Sequence, residues 1–216
     1  GIVDKLIDVL LKAINLVVPS IDFPDKETYV NDQFYPGMDK YLEAPAPGAV
    51  WNLGYGSGSI QTGNEMYGKH YVGGSLSFPS PKTVSAVYDD QRVRCVALND
   101  GSGRGTVVFA VVDAFGLSNT DVAGIRAQLA DYAKANNIVG INIAVLHQHS
   151  CVDTFGMNGD LLKMVFTNPA ANVANKLFGT DLKLLDGRNP EFMANLYNVT
   201  EQAVKTAVET MEEGKM

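Results

Sequence analysis

The feature that most constrains this chain is an alternation of patterns across residues 105–146. The run GTVVFAVVDAF is apolar, rich in β-branched residues and of strand length. The next stretch, SNTDVAGIRAQLADYAKANN, sets Val122, Ile125, Leu129 and Tyr132 at helical spacing. Ser118, Asn119 or Thr120 can cap that helix, and Asn136 and Asn137 close it. Then GINIAVL, residues 140–146, returns to an uncharged strand-like run with the look of a strand buried on both faces. Strand, helix, strand makes an α/β unit, whose crossover sets two parallel strands side by side.

The flanking stretches extend the sheet. RVRCVAL precedes the unit and is separated from it by NDGSGRG, a loop of hairpin composition, so an antiparallel pair is expected and the sheet is mixed. VWNLGYGSGSIQ is a further short strand running into glycines 54, 56 and 58. Their spacing fits neither phosphate-binding pattern, and a tight turn with close backbone approach is the better reading. Asn189 as cap and Pro190 at the first position announce a final helix, whose stripe is Phe192, Leu196, Val199, Ala203, Ala207 and Met211. At the other end, residues 2–18 alternate as an amphipathic helix that Pro19 stops, and residues 19–48 read as a connecting arm. The expected fold class is α/β, a mixed β-sheet with flanking helices, with segments 1–48 and 49–216.

Several function classes drop out. With 17 Lys and Arg against 24 Asp and Glu, the net charge is −7 and the basic residues are scattered singly, which excludes a nucleic-acid partner. No apolar run approaches the roughly 18 residues of a membrane span. Cys95 and Cys151 are too few for a disulfide framework and match no zinc ribbon or redox motif.

Ligands of α/β sheets gather at the carboxyl ends of the strands. There the sequence places Asp113 after one strand and LHQHSCVD after the other, with two of the three histidines of the chain. On an extended chain His147 and His149 project to one side. They then serve as two ligands of one metal, as one ligand and one substrate-facing group, or as hydrogen-bonded structural residues. Catalytic zinc usually takes three protein ligands and keeps a position for water. Asp113 either orients an imidazole from behind or caps the following turn. His70, among the glycines of MYGKHYVGG, reads as a loop residue.

GINIAVLHQHS resembles the segment ending in His-Thr-His-Ser-Gly of the neutral, non-lysosomal ceramidases, zinc amidases that cleave N-acyl sphingosine. VWNLGYGSGSIQTGNEMYGKHYVGG is similar to that family's opening strand, GTVVFAVVDAFGLS to its strand ending in Asp, and NPEFMANLYNVTEQAVKTAVETM to the helix after the His motif. The resemblance covers roughly residues 50–211. It implies Zn²⁺ as cofactor, His147 as metal ligand and His149 as the catalytic group facing the substrate. Gln148 stands where the family has Thr, and Cys151 where a glycine-rich turn begins.

The family's further His, Glu and Tyr ligands lie beyond the helix that NPEFMANLYNVT resembles. The resemblance therefore implies the amino-terminal part of a zinc-hydrolase-like catalytic domain, incomplete by itself and completed by a companion chain. The implied substrate is an N-acyl amide, a lipid amide among the options, which would bring the chain to a membrane surface and to an extracytoplasmic location. A non-catalytic binding module of the same fold, and a zinc hydrolase of another acyl amide or a peptide, are the alternatives.

Overall fold

The computed structural model describes residues 47–65, 68–74 and 81–214, with Gly1, Lys5, Asp8, Val9 and Lys12. Most of the expected helix at 2–18 and nearly all of the arm to residue 48 lie outside the described residues; Lys5, Asp8, Val9 and Lys12, which are described, are helical. The chain divides into two compact units, one of Gly1–Gly37 with Asp160–Asp186 and one of Met38–Gly159 with Gly187–Met216.

The larger unit is built on a five-stranded mixed sheet flanked by helices. Its strands are β1 (Trp51–Ser59), β2 (Arg92–Asn99), β3 (Thr106–Val112), β4 (Ile138–Val145) and β5 (Glu212–Gly214), in the order β4-β3-β2-β1-β5. β3 and β4 pair in parallel, as the strand–helix–strand reading requires, and the other pairs are antiparallel. The expected helix between β3 and β4 is two short ones, α1 (Asn119–Gln128) and α2 (Ala130–Ala135), meeting at the fully buried Leu129. Ser118 and Asp121 form a reciprocal capping box at the start of α1. Asp121 also accepts from Tyr197 Oη at 2.8 Å and from Arg188 at 3.0 Å. Helix α3 (Leu161–Phe178), in the smaller unit, and the short β5 were not foreseen.

One face of the sheet is dry because the period-2 pattern puts Val93, Cys95 and Ala97 opposite Val112, Ala110 and Val108 in turn on the same side, all fully buried. Helix α4 (Pro190–Glu209), capped by Asn189 as expected, covers them with Phe192, Leu196, Ala203, Val204 and Ala207. Gly54 and Gly56 explain how closely it lies. A Cβ on Gly54 would sit 1.8 Å from the Ala207 carbonyl oxygen, and one on Gly56 2.1 Å from that of Ala203. These glycines therefore belong to the strand and serve helix packing. Close backbone approach was the correct half of the sequence reading, and a tight turn was not.

β4 departs from expectation in a way that matters for the site. It is an edge strand among the described residues, half-buried at alternate positions, with Val139 55% exposed. An uncharged run looked buried on both faces, but only the β3 side and one face are covered. Leu146 N–H donates toward β3, so residues 139, 141, 143 and 145 turn their peptide groups outward. One of them, the Ile141 carbonyl, accepts from Arg126 Nε at 2.9 Å.

Candidate functional site at the strand ends

The parallel pair continues past its last residues: Leu146 N–H donates to Val112 O at 3.1 Å and Gln148 N–H to Ala114 O at 3.0 Å. Between them His147 has φ of 60°, in the left-handed region that non-glycine residues seldom occupy. The chain is thus not extended through the motif, and the geometric reason given for the convergence of the two imidazoles does not hold. They converge nonetheless, with ring centroids 4.9 Å apart at 81°.

Each ring is fixed from behind. His147 Nδ1–H donates to Phe115 O and His149 Nδ1–H to Gly74 O, both at 3.0 Å. Because a carbonyl only accepts, each bond needs its proton on Nδ1, and in the neutral ring Nε2 then carries the lone pair. Both side chains are exposed. The Phe115 ring packs against both, 4.7 Å from His147 and 5.0 Å from His149, and Phe155 packs edge-on against Phe115. Gly73 and Gly74 make the room: a Cβ on Gly74 would lie 2.6 Å from His149 Nδ1 and 2.8 Å from Phe115 Cδ2. Sequence reasoning missed Phe115 and Gly74 as parts of this site. The only signal was the Gly-Gly pair, whose partner lies 75 residues further on.

Asp113 performs neither expected task. Its carboxylate accepts from the Arg92 N–H and from Arg94 Nη1, at 2.9 Å each, so it ties β2 to the end of β3, and backbone carbonyls orient the imidazoles in its place. Buried Gln91 donates to Asp113 O and accepts from Val152 N–H, which links the same corner to the loop after the histidines. In that loop the fully buried Asp153 takes three backbone N–H groups, from Phe155, Gly156 and Asn158. Cys95 and Cys151 are both free, and burial pushes their thiols up to about 12 and about 11, so neither is a nucleophile at neutral pH. His70 lies in a loop, as expected, but is buried there: it is 1% exposed, edge-on to Phe192, and its two nitrogens have no hydrogen-bond partner among the described residues.

A cavity of about 1100 Å³ lies on the other side of the histidine loop, lined by Arg94, Asp113, Leu146, Gln148 and Ser150 among others. The two histidines do not line it. Among the described residues no three His, Cys, Asp or Glu side chains gather as a metal cage.

No known family profile matches the chain, and no curated protein matches it. Solved structures do. A neutral ceramidase from Pseudomonas aeruginosa superimposes with a TM-score of 0.53 at 14% identity, and a structure described as ceramidase complexed with C2 with a TM-score of 0.53 at 12%. The fold is ceramidase-like. Each match covers 77% of this chain and 22% of the other, so the chain spans about a fifth of the length of those proteins.

Proposed function

We propose that this chain contributes the paired imidazoles of a zinc-dependent hydrolase centre that cleaves an N-acyl amide, as the ceramidase-like fold suggests, with the remaining ligands supplied by a companion chain. The observation that carries the reading is the arrangement of the two rings: adjacent, exposed, each with Nδ1 spent on a carbonyl and Nε2 without a partner among the described residues. That is the donor chemistry zinc requires of neutral histidine, and the carbonyl behind each ring fixes its tautomer. Two such donors suit zinc but do not complete a site.

In this reading His147 holds the metal and His149 meets the reacting group of the substrate. When bound, zinc supplies Lewis acidity toward the amide carbonyl. The bond from His149 Nδ1–H to Gly74 O determines what that side chain can do. In its neutral form Nε2 accepts a proton, and only as imidazolium does it donate to a developing oxyanion. Phe115 and Gly74 hold that ring in place.

Calorimetric zinc titration of the 216-residue chain tests the metal, with Co²⁺ absorption as a second readout. Weak binding that disappears in His147→Ala is expected, because two ligands hold zinc poorly. Zinc binding that His147→Ala leaves unchanged would sink the assignment. Addition of a polypeptide carrying further ligands should tighten binding and bring hydrolysis of an N-acyl amide. Tight zinc binding by that assembly without hydrolysis would favour a non-catalytic module, a reading that also draws on the loop after Ser150 being closed around Asp153.

A further inference from the structure

Helix α3 of the smaller unit is arranged inside out. Asn168 and Asn175, two turns apart, each clasp the returning segment with a pair of bonds. Asn175 Nδ2 donates to Leu182 O while Leu182 N–H donates to Asn175 Oδ1, and Asn168 repeats the pattern on Leu185. With the buried Ala171 they form the covered side of the helix. The opposite side is apolar and exposed: Phe166 is 68% exposed, Val173 42% and Leu177 71%. At 3.6 residues per turn Phe166, Val173 and Leu177 fall within about 20° of one line. A helix in water ordinarily turns its apolar stripe to the core and its asparagines outward.

Charge indicates the surroundings that suit such a stripe. The chain carries −7 overall, yet α3 has no Asp or Glu from its first residue to its last and two lysines. Lys163 and Lys176 lie roughly 60° to one side of the stripe and 80° to the other. Apolar centre and flanking lysines make the pattern of a helix lying in a bilayer interface, with ammonium groups at the level of anionic headgroups. Among the described residues no helix is long and apolar enough to cross a membrane, so α3 would lie on the surface. Asp181 and Asp186 belong to the returning segment, which runs along the asparagine side, and Asp160 caps the helix through the Lys163 N–H.

We infer that α3 docks on an anionic phospholipid surface through Phe166, Val173 and Leu177, with Lys163 and Lys176 contacting the headgroups. This stands apart from the zinc chemistry proposed above. His147→Ala therefore leaves it unchanged, and failure of either idea leaves the other standing.

Vesicle flotation of the full chain is the test, with phosphatidylcholine alone and phosphatidylcholine mixed with phosphatidylserine. Flotation with the mixed vesicles is expected, weaker with phosphatidylcholine alone and reduced by salt. Lys163→Gln with Lys176→Gln should weaken it roughly 30-fold, as two surface lysines predict. Phe166→Ser or Leu177→Ser should each weaken it at least about tenfold while the helical circular dichroism stays unchanged. As a check independent of those variants, Phe166→Trp in a Trp51→Phe background should shift its fluorescence to the blue on vesicle addition. Absence of that shift, or of flotation with either vesicle, overturns the proposal. So does a dimer in sedimentation velocity that Phe166→Ser dissolves, because the stripe would then be covered by a second copy.

Discussion

The two sides of the larger unit are held together by opposite means. Beneath β1 the backbone of α4 nearly touches the strand, with nothing larger than hydrogen tolerated at Gly54 and Gly56 against the buried Ala203 and Ala207. At the carboxyl ends of β3 and β4 two imidazoles stand exposed, each held by one bond to a carbonyl, on a residue with left-handed backbone in one case. The dry side tolerates no added volume, whereas the rim depends on direction. Stability and the proposed chemistry are thus separated on one scaffold, with the two histidines on a loop that the rigid sheet positions.

The largest expected effect lies on the dry side. Gly54→Val drives side-chain carbon into the Ala207 carbonyl and toward the Met211 N–H, backbone atoms that move only if α4 moves. A loss of at least about 3 kcal/mol in urea unfolding is expected, at the upper end for overpacking. A loss below about 1 kcal/mol would mean that helix and strand are not in such close contact.

The corresponding change at the rim is Gly74→Ala. Gly74 has φ of 73°, and its new methyl would meet the His149 ring and Phe115. The backbone strain alone costs roughly 1–2 kcal/mol. The distinctive result is local: the His149 ring must turn, so its Nδ1–H loses the Gly74 carbonyl while the core stays intact. Proton–nitrogen NMR of the imidazoles reads this directly, and an unchanged His149 tautomer would contradict the geometry.

How legible these regions were follows the same division. The β3–α1–β4 unit, the β2–β3 hairpin and α4 with its Asn189 cap are short-range patterns, and the sequence displays them openly. Helix α3 was hidden because Pro169 interrupts it and its exposed apolar side defeats the usual amphipathic reading. The edge position of β4 depends on which strand lies beyond it, a long-range matter that an uncharged run cannot reveal. His147 and His149 stood out through their scarcity. The groups that orient them, the carbonyls of Phe115 and Gly74, are backbone atoms that every residue has, so apart from the Gly-Gly pair no sequence signal marks them.

His70 joins the comparison through pH. It is buried against Phe192 without a hydrogen-bond partner among the described residues, and desolvation lowers its pKa below the ordinary value, opposed by the charges of Glu65 and Glu191 and aided by Lys69. A folded-state pKa below the unfolded one gives a contribution to stability that is present at neutral pH. That contribution is lost as pH falls below about 6.5, where the unfolded chain takes up the proton first. Urea midpoints should therefore drop between pH 7.5 and pH 5, and His70→Phe should flatten that slope. An equal slope in the variant would assign the acid sensitivity to other groups.

The smallest stability effect is expected at β4, where the dry side and the rim meet. The edge of this strand carries no charged residue and no proline, the usual defences against pairing with another chain. Its partial cover is Arg126, whose Nε donates to the outward Ile141 carbonyl. Arg126→Ala removes one exposed hydrogen bond and should cost only about 0.5 kcal/mol, because water replaces the donor. Its consequence for solubility should be larger than that figure suggests, since a cationic side chain leaves a flat apolar edge. Light scattering at rising concentration should show earlier self-association in Arg126→Ala than in the parent at equal folded fraction, and Arg126→Lys should restore much of the protection through its charge. If the three proteins scatter alike, the edge is already covered by other means and Arg126 is only a surface contact.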